Sequence, residues 1–309
     1  MKDRNMAIYV VGEYLREMRM RKGYSQEAVS YNICTTATLS RIENGLQSPS
    51  KRMMDKILER LGIETDMFDA FVNQEELEFY ELKKSMSRCI AKLDMKEVEY
   101  AYVNLMERLS DKQKESEKQY LMWIDAVLMI GKGDSPDRVR KLLMEAIHLT
   151  LPEFDGKTPL INNLLTYDEI IIINSLASQY ARNNEMATAI RIGMWLKEYM
   201  KDKMAEGNMK VSKYPTVLYN LSNWLGKIEC FNEALEITNE GVAYCIKYGN
   251  GIRLPYLLFN KGCALAELGN VKEAKNVFTQ SITFFELVEQ KKERKMAIEW
   301  CNKRYNLHI

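Results

Sequence analysis

The sequence predicts an all-α protein: a short helical head followed by a long array of helix pairs. Three observations point there. Apolar residues recur at helical spacing along most of the chain. Six prolines and 15 glycines in 309 residues are too few for the frequent turns of an all-β architecture. The C-terminal two-thirds also aligns on itself in steps of about 40 residues. At roughly 150 residues per domain this length corresponds to about two domains, and 46% apolar residues suffice for a large core.

Charge and punctuation narrow the function. The formal charge is +1 overall, yet residues 1–62 carry 11 basic and 7 acidic side chains, and the remainder 33 and 36. A nucleic-acid contact is therefore expected at the N-terminal end. The longest apolar stretch, near 121–130, contains Asp125 and is too short to span a bilayer. The N-terminus runs quickly into charge, unlike a signal peptide. Cys34, Cys89, Cys230, Cys245, Cys263 and Cys301 form no C-x-x-C pair and read as buried free thiols of a cytoplasmic protein. The two histidines, His148 and His308, lie in no metal-binding pattern, and Gly131-Lys132-Gly133-Asp134-Ser135 lacks the second half of a phosphate loop. No cofactor and no catalytic site is expected, so binding is the expected activity.

Each element of the head has its own signals. Ile8, Val11, Tyr14 (or Leu15) and Met18 form one face of a first helix that Gly23 ends. Ser25 caps a second helix, with Glu27 in its first turn. Thr35 or Thr36 caps a third, whose Leu39 and Ile42 face inward and which Asn44-Gly45 ends. Ser48-Pro49 supplies a cap and first-turn proline for a fourth, with Met53, Met54, Ile57, Leu58 and Leu61 on its apolar face.

Those landmarks, L-R-E-M-R-x-R-K-G-Y-S-Q-E-x-V and then L-S-R-I-E-N-G-x-x-S-P-S, resemble the helix-turn-helix domain of the phage-repressor (Xre/Cro) family. The turn N-I-C-T-T is one residue shorter than that family's usual form and resembles the Rgg/PlcR-type (RRNPP) peptide-pheromone receptors. The resemblance implies double-stranded DNA as a partner, with the third helix reading bases from its N-terminal end. It nominates Thr35, Thr36, Ala37 and Thr38, with Ser40 and Arg41 one turn on. Arg41 suits a bidentate guanine contact. Gln26, Asn44, Lys51 and Arg52 are candidate phosphate contacts. Arg19 and Glu43 correspond to a buried salt bridge of the phage repressors.

Beyond residue 75 the self-alignment places Pro215 on Pro255, Asn220 on Asn260, Leu225 on Leu265, Ala234 on Ala274 and Gly241 on Ser281. A 45-residue step back reaches Leu176-Ala177 and Ala189. Pairs are expected over 169–200, 214–248 and 254–288, with weaker ones over 75–109 and 117–150. Residues 151–168 read as a longer loop, and 290–306 as a terminal helix with Met296, Ile298 and Trp300 partly buried. The pattern resembles tetratricopeptide repeats, stretched beyond their usual length of about 34 residues.

In such arrays the first helices line a concave groove suited to an extended peptide. Asn220 and Asn260 match the position that holds a peptide main chain in peptide-binding repeats, since an amide both donates and accepts. Asn174 and Asn223 lie nearby, and Arg182, Lys227 and Glu267 share one equivalent place. Each asparagine can equally be an ordinary surface residue. Tyr219, Tyr256 and Phe259 fit either groove lining or helix packing. The domains read as 1–66 (DNA-binding), 67–74 (linker), 75–288 (a right-handed superhelix of about five repeat-like pairs) and 289–309 (a capping helix). The whole resemblance implies a cytoplasmic, homodimeric transcription regulator of the quorum-sensing kind, controlled by a short signalling peptide and without membrane contact. A prophage lysis–lysogeny regulator, a regulator whose groove holds a protein, and a Rap-like protein share these parts.

Overall fold

The computed structural model describes residues 2–65, 74–92, 94–159, 163–204 and 206–307. These residues form sixteen helices and no strand. The expected linker 67–74 lies, but for its last residue, outside the described residues, as does His308.

The head comprises α1 (Lys2–Arg21), α2 (Gln26–Ser30), α3 (Thr36–Glu43) and α4 (Lys51–Arg60). Side-chain caps set where three of them begin: Ser25 accepts from Ala28 N–H, Thr35 from Thr38 N–H and Ser50 from Met53 N–H. The last differs from the sequence expectation, because Ser50 holds the extended backbone of a cap and Pro49 stands ahead of it. Leu15, Val29, Leu39, Ile42, Ile57, Leu58 and Leu61 form the head core. Gly12 lets α1 close on α3, since a Cβ there would stand 2.1 Å from the Ile42 carbonyl oxygen.

The body stacks five helix pairs: α5 (Gln74–Lys92) with α6 (Met95–Arg108), α8 (Lys118–Gly131) with α9 (Pro136–His148), α10 (Tyr167–Arg182) with α11 (Met186–Lys203), α12 (Asn208–Lys227) with α13 (Phe231–Tyr248), and α14 (Leu254–Glu267) with α15 (Val271–Leu287). A short α7 (Asp111–Ser116), closed by a capping box from Ser110 and Gln113, separates the first two pairs, and α16 (Lys291–Tyr305) ends the stack. Besides packing on its own partner, α10 touches α8 and α12, and α12 touches α14. The first helices of the last four pairs therefore form one continuous wall, as a solenoid requires.

Small residues mark the crossings. A Cβ on Gly193 would meet Trp224 at 3.1 Å, on Gly241 the Leu257 side chain at 2.8 Å, and on Gly262 the Phe278 ring at 2.6 Å. Ala189, Ala234 and Ala274 are buried in the same way. The two aligned prolines part company: Pro255 opens α14, whereas Pro215 lies inside α12. A proline leaves the carbonyl four residues earlier without its helical donor. Here Asn250 Nδ2 donates to that Val211 carbonyl at 2.7 Å, so the helix runs through. On α16 the buried face is Ala297 and Cys301. Met296 and Trp300, expected to be partly buried, are 59% and 51% exposed because they project from the other side.

Gly262→Val should lower the unfolding free energy by roughly 1–3 kcal/mol through overpacking against Phe278. Gly226→Ala, whose Cβ would meet nothing within 4 Å, should raise it by about 0.5–1 kcal/mol. Urea midpoints of the two variants against wild type test both signs.

Candidate nucleic-acid interface and peptide groove

One carboxylate orients the third helix. Glu43, buried at the end of α3, accepts from Arg19 Nε at 2.7 Å, Arg19 Nη2 at 2.8 Å and Gln26 Nε2 at 2.7 Å. Arg19 also donates to the Tyr24 carbonyl at 3.0 Å, and its hydrogen bond with Glu43 raises its pKa above the ordinary arginine value. These bonds tie α1 and α2 to α3, while Leu39 and Ile42 bury its inner face. Thr36, Ala37, Arg41 and Asn44 are left exposed, and Thr38 and Ser40 half-buried. The Thr35 hydroxyl caps α3 and shares a 2.8 Å hydrogen bond with Thr38.

The candidate phosphate contacts divide. Gln26 spends one amide proton on Glu43, and Asn44 donates to the Ser40 carbonyl at 2.8 Å. Both line a polar concavity with Ser40, Arg19, Glu43 and Arg16. Arg16 is an exposed cation at this concavity that the sequence alone did not single out. Its signal was its place one turn before Arg19 on the same helix. Lys51 pairs with Asp55 at 2.7 Å, and Arg52 forms an ion pair with Glu117 of the body at 2.8 Å. In this arrangement Arg52 belongs to the junction between head and body.

That junction is charged and largely buried. Arg60 Nη2 stands 3.1 Å from Glu169 Oε1, both side chains almost wholly buried. Glu59 accepts from the Tyr167 N–H at 2.9 Å, at the start of α10 where a helix dipole favours negative charge. Burial and the neighbouring Asp168 push its carboxyl up to about 8. Lys83 bridges Asp168 at 3.3 Å and Glu117 at 3.9 Å. Asn32 donates to the Thr150 carbonyl, Glu64 accepts from Asn208 N–H, and a Cβ on Gly62, at φ +62°, would stand 2.1 Å from the Lys203 carbonyl oxygen. Leu164 of the body packs into the head core.

On the wall of first helices, Asn220 Nδ2 lies 3.4 Å from Asn174 Oδ1 and 3.3 Å from Ser178 Oγ. Asn260 Nδ2 repeats this one pair later, donating to Ser222 Oγ at 2.9 Å and the Tyr219 carbonyl at 3.2 Å. The amides thus stitch neighbouring pairs together through their NH₂ groups. No protein donor is recorded at Asn220 Oδ1 or Asn260 Oδ1 among the described residues. Asn223 is half-buried one turn from Asn220. Tyr256 is buried, edge-on to Tyr219 at 5.4 Å and to Phe285 at 4.9 Å, so packing accounts for it. Arg182, Lys227 and Glu267 are the last residues of α10, α12 and α14, which puts them along one rim. Arg182 is held by Gln179 and the Asp134 carbonyl, Glu267 by Arg304 and Tyr305 of α16, and Lys227 is exposed. No cluster able to hold a metal occurs among the described residues.

Comparison with known proteins adds to this geometry. The sequence profile of the RNPP family C-terminal domain matches residues 85–307, and that of a helix-turn-helix domain matches residues 10–71. Bacillus thuringiensis PlcR in complex with the peptide PapR7 and DNA is similar over 93% of this chain and 98% of its own, at 19% identity and a TM-score of 0.63. The apo form of PlcR is similar over 94% and 98%, at 16% identity and a TM-score of 0.58. The competence regulator ComR from Streptococcus vestibularis, in complex with its signalling peptide XIP, is similar over 94% and 96%, at 15% identity and a TM-score of 0.50. At these identities the likeness is one of fold. No curated protein sequence matches.

Two measurements probe the junction. Arg60→Ala leaves Glu169 buried without its cation and should cost about 3–5 kcal/mol in urea unfolding. Glu59, raised from an ordinary value of 4.5 to about 8, favours its protonated form when docked. Its contribution is full below the unfolded value and lost as pH rises through about 8. The urea midpoint should therefore fall across that window in wild type, and fall less in Glu59→Gln.

Proposed function

Since the chain belongs to the RNPP family, to whose C-terminal domain residues 85–307 correspond, we propose that it is a transcription regulator. It reads double-stranded DNA with α3 and is controlled by a short signalling peptide held along the wall formed by α8, α10, α12 and α14. It binds rather than catalyses. It acts in the cytoplasm; no helix among the described residues is long and apolar enough to cross a membrane.

The observation that carries the reading is the two-sided state of α3. Its inner face is fixed by Glu43 and the head core, while Thr36, Ala37 and Arg41 stand outward at the end a recognition helix directs to base edges. Arg41 would read a base, and Arg16, with Gln26 and Asn44, would hold a phosphate. The head's excess of only four positive charges supports weak binding by a single head, hence a homodimer that pairs two. Exposed Leu287, Met296 and Trp300 on α15 and α16 supply apolar surface for that pairing. The groove reading draws support from the amide oxygens of Asn220 and Asn260, which repeat at one position and can accept from a peptide backbone.

Binding sites selected from a random duplex library provide the test. Arg41→Ala should lose about 1–3 kcal/mol of discrimination at one base position. Arg16→Ala should weaken all sequences alike and reduce the salt slope by about 1. Unchanged affinity and specificity in both variants would remove α3 from the DNA interface. Trp300→Glu should shift the sedimentation of the protein from dimer to monomer and weaken binding to paired half-sites.

A further inference from the structure

Lys213 and Arg253, on the wall of first helices, make no ion pair with a carboxylate among the described residues. Lys213 projects from α12 with its Nζ 6.0 Å from the Trp123 ring centroid on α8. The charges that face it are Asp168 at the start of α10, Lys83 of α5 and Arg253 at the start of α14. Lys213 is half-buried. Arg253 is buried, donates from Nε to Thr216 Oγ1 at 3.1 Å, and lies 5.5 Å over the Tyr256 ring. Thr216 is one turn from Lys213 on α12, so Arg253 is held one helical turn from Lys213, whose ammonium lies within its field.

The neighbouring carboxylates are themselves engaged by other cations, although Asp168 still attracts Lys213. Glu117 is engaged by Arg52 and Lys83, and Asp168 by Lys83. The raised pKa of Glu59 leaves it largely uncharged near neutrality. Burial, together with Lys83 and Arg253, pulls the Lys213 ammonium down to about 8, although Asp168 opposes the shift. Two like charges within each other's field, one half-buried and one buried, form a site that an anion completes.

Resting on the peptide-receptor reading above, the geometry points to a carboxylate of the bound peptide as the group that Lys213 and Arg253 hold. The ammonium supplies a movable donor and the guanidinium a planar fork, a pairing suited to one carboxylate. That carboxylate can be the peptide C-terminus or an Asp or Glu side chain. The half-buried Tyr219 ring beside the pair favours an otherwise apolar ligand.

Affinity selection with the full-length protein tests this, using three pools of random heptapeptides read by mass spectrometry. One pool has free C-termini but no Asp or Glu, one has amidated C-termini with Asp and Glu allowed, and one is amidated and lacks both. Wild type should retain one of the first two pools at least about tenfold over the third, as a charged hydrogen-bonded pair implies. The favoured pool identifies the source of the carboxylate. Lys213→Gln and Arg253→Gln should erase the preference, and Lys213→Arg should restore it. Circular dichroism melts and DNA binding of the variants guard against misfolding. Equal retention of all three pools by wild type, with peptides still captured, would overturn the carboxylate site and leave the peptide reading intact. Capture of no peptide from any pool would remove both.

Discussion

The carboxylate of Glu169 does two jobs at one point, and the arrangement of head on body depends on it. As the third residue of α10 it accepts from the Thr166 N–H at 2.6 Å and so closes the capping box that starts the helix. Its other oxygen accepts from Arg60 of the head at 3.1 Å. A carboxylate this deeply buried is tolerable only when such donors surround it. The helix it starts packs on α8, α9, α11 and α12, at the middle of the body. The head is thus fastened to the element that organises the repeat stack.

Much of this was legible because it is local. Serine and threonine caps, glycines after helices and the alternation of small and large residues at crossings are written within a few positions of where they act. Gly241 and Gly262 stand out in the repeat register because the crossing needs them there. The long-range pairings were not legible. Nothing near Arg52 names Glu117, 65 positions away, so a basic residue at the start of α4 reads as a phosphate contact until the body is in place. Pro215 lies inside α12, although it aligns with the proline that opens α14, because Asn250, 35 residues on, caps the carbonyl it frees. The stitching by Asn220 and Asn260 was hidden for the same reason: a residue's register is periodic, but the direction of its amide protons is set by the neighbouring pair.

The two halves of the amide account for how a repeat wall can be both rigid and receptive. Each NH₂ group is used to lock one pair to the next, through Ser178 and Ser222. The carbonyl end remains available. A wall held this way does not have to be ordered by a ligand, which lowers the entropic cost of binding an extended chain.

The groove and the head also share an electrostatic environment. Asp168 lies at the start of α10, bonded to Lys83, and its field reaches Glu59 on the head side and Lys213 on the groove side. Lys83 in turn is bound to Glu117, which holds Arg52 of the head. On the carboxylate proposal above, an anion beside Lys213 and Arg253 would add negative charge within the field of Asp168 and Lys83, the groups whose ion pairs reach Arg52 at the start of α4. By reciprocity, whatever shifts that row of charges would alter the affinity of the groove for the anion by the same factor.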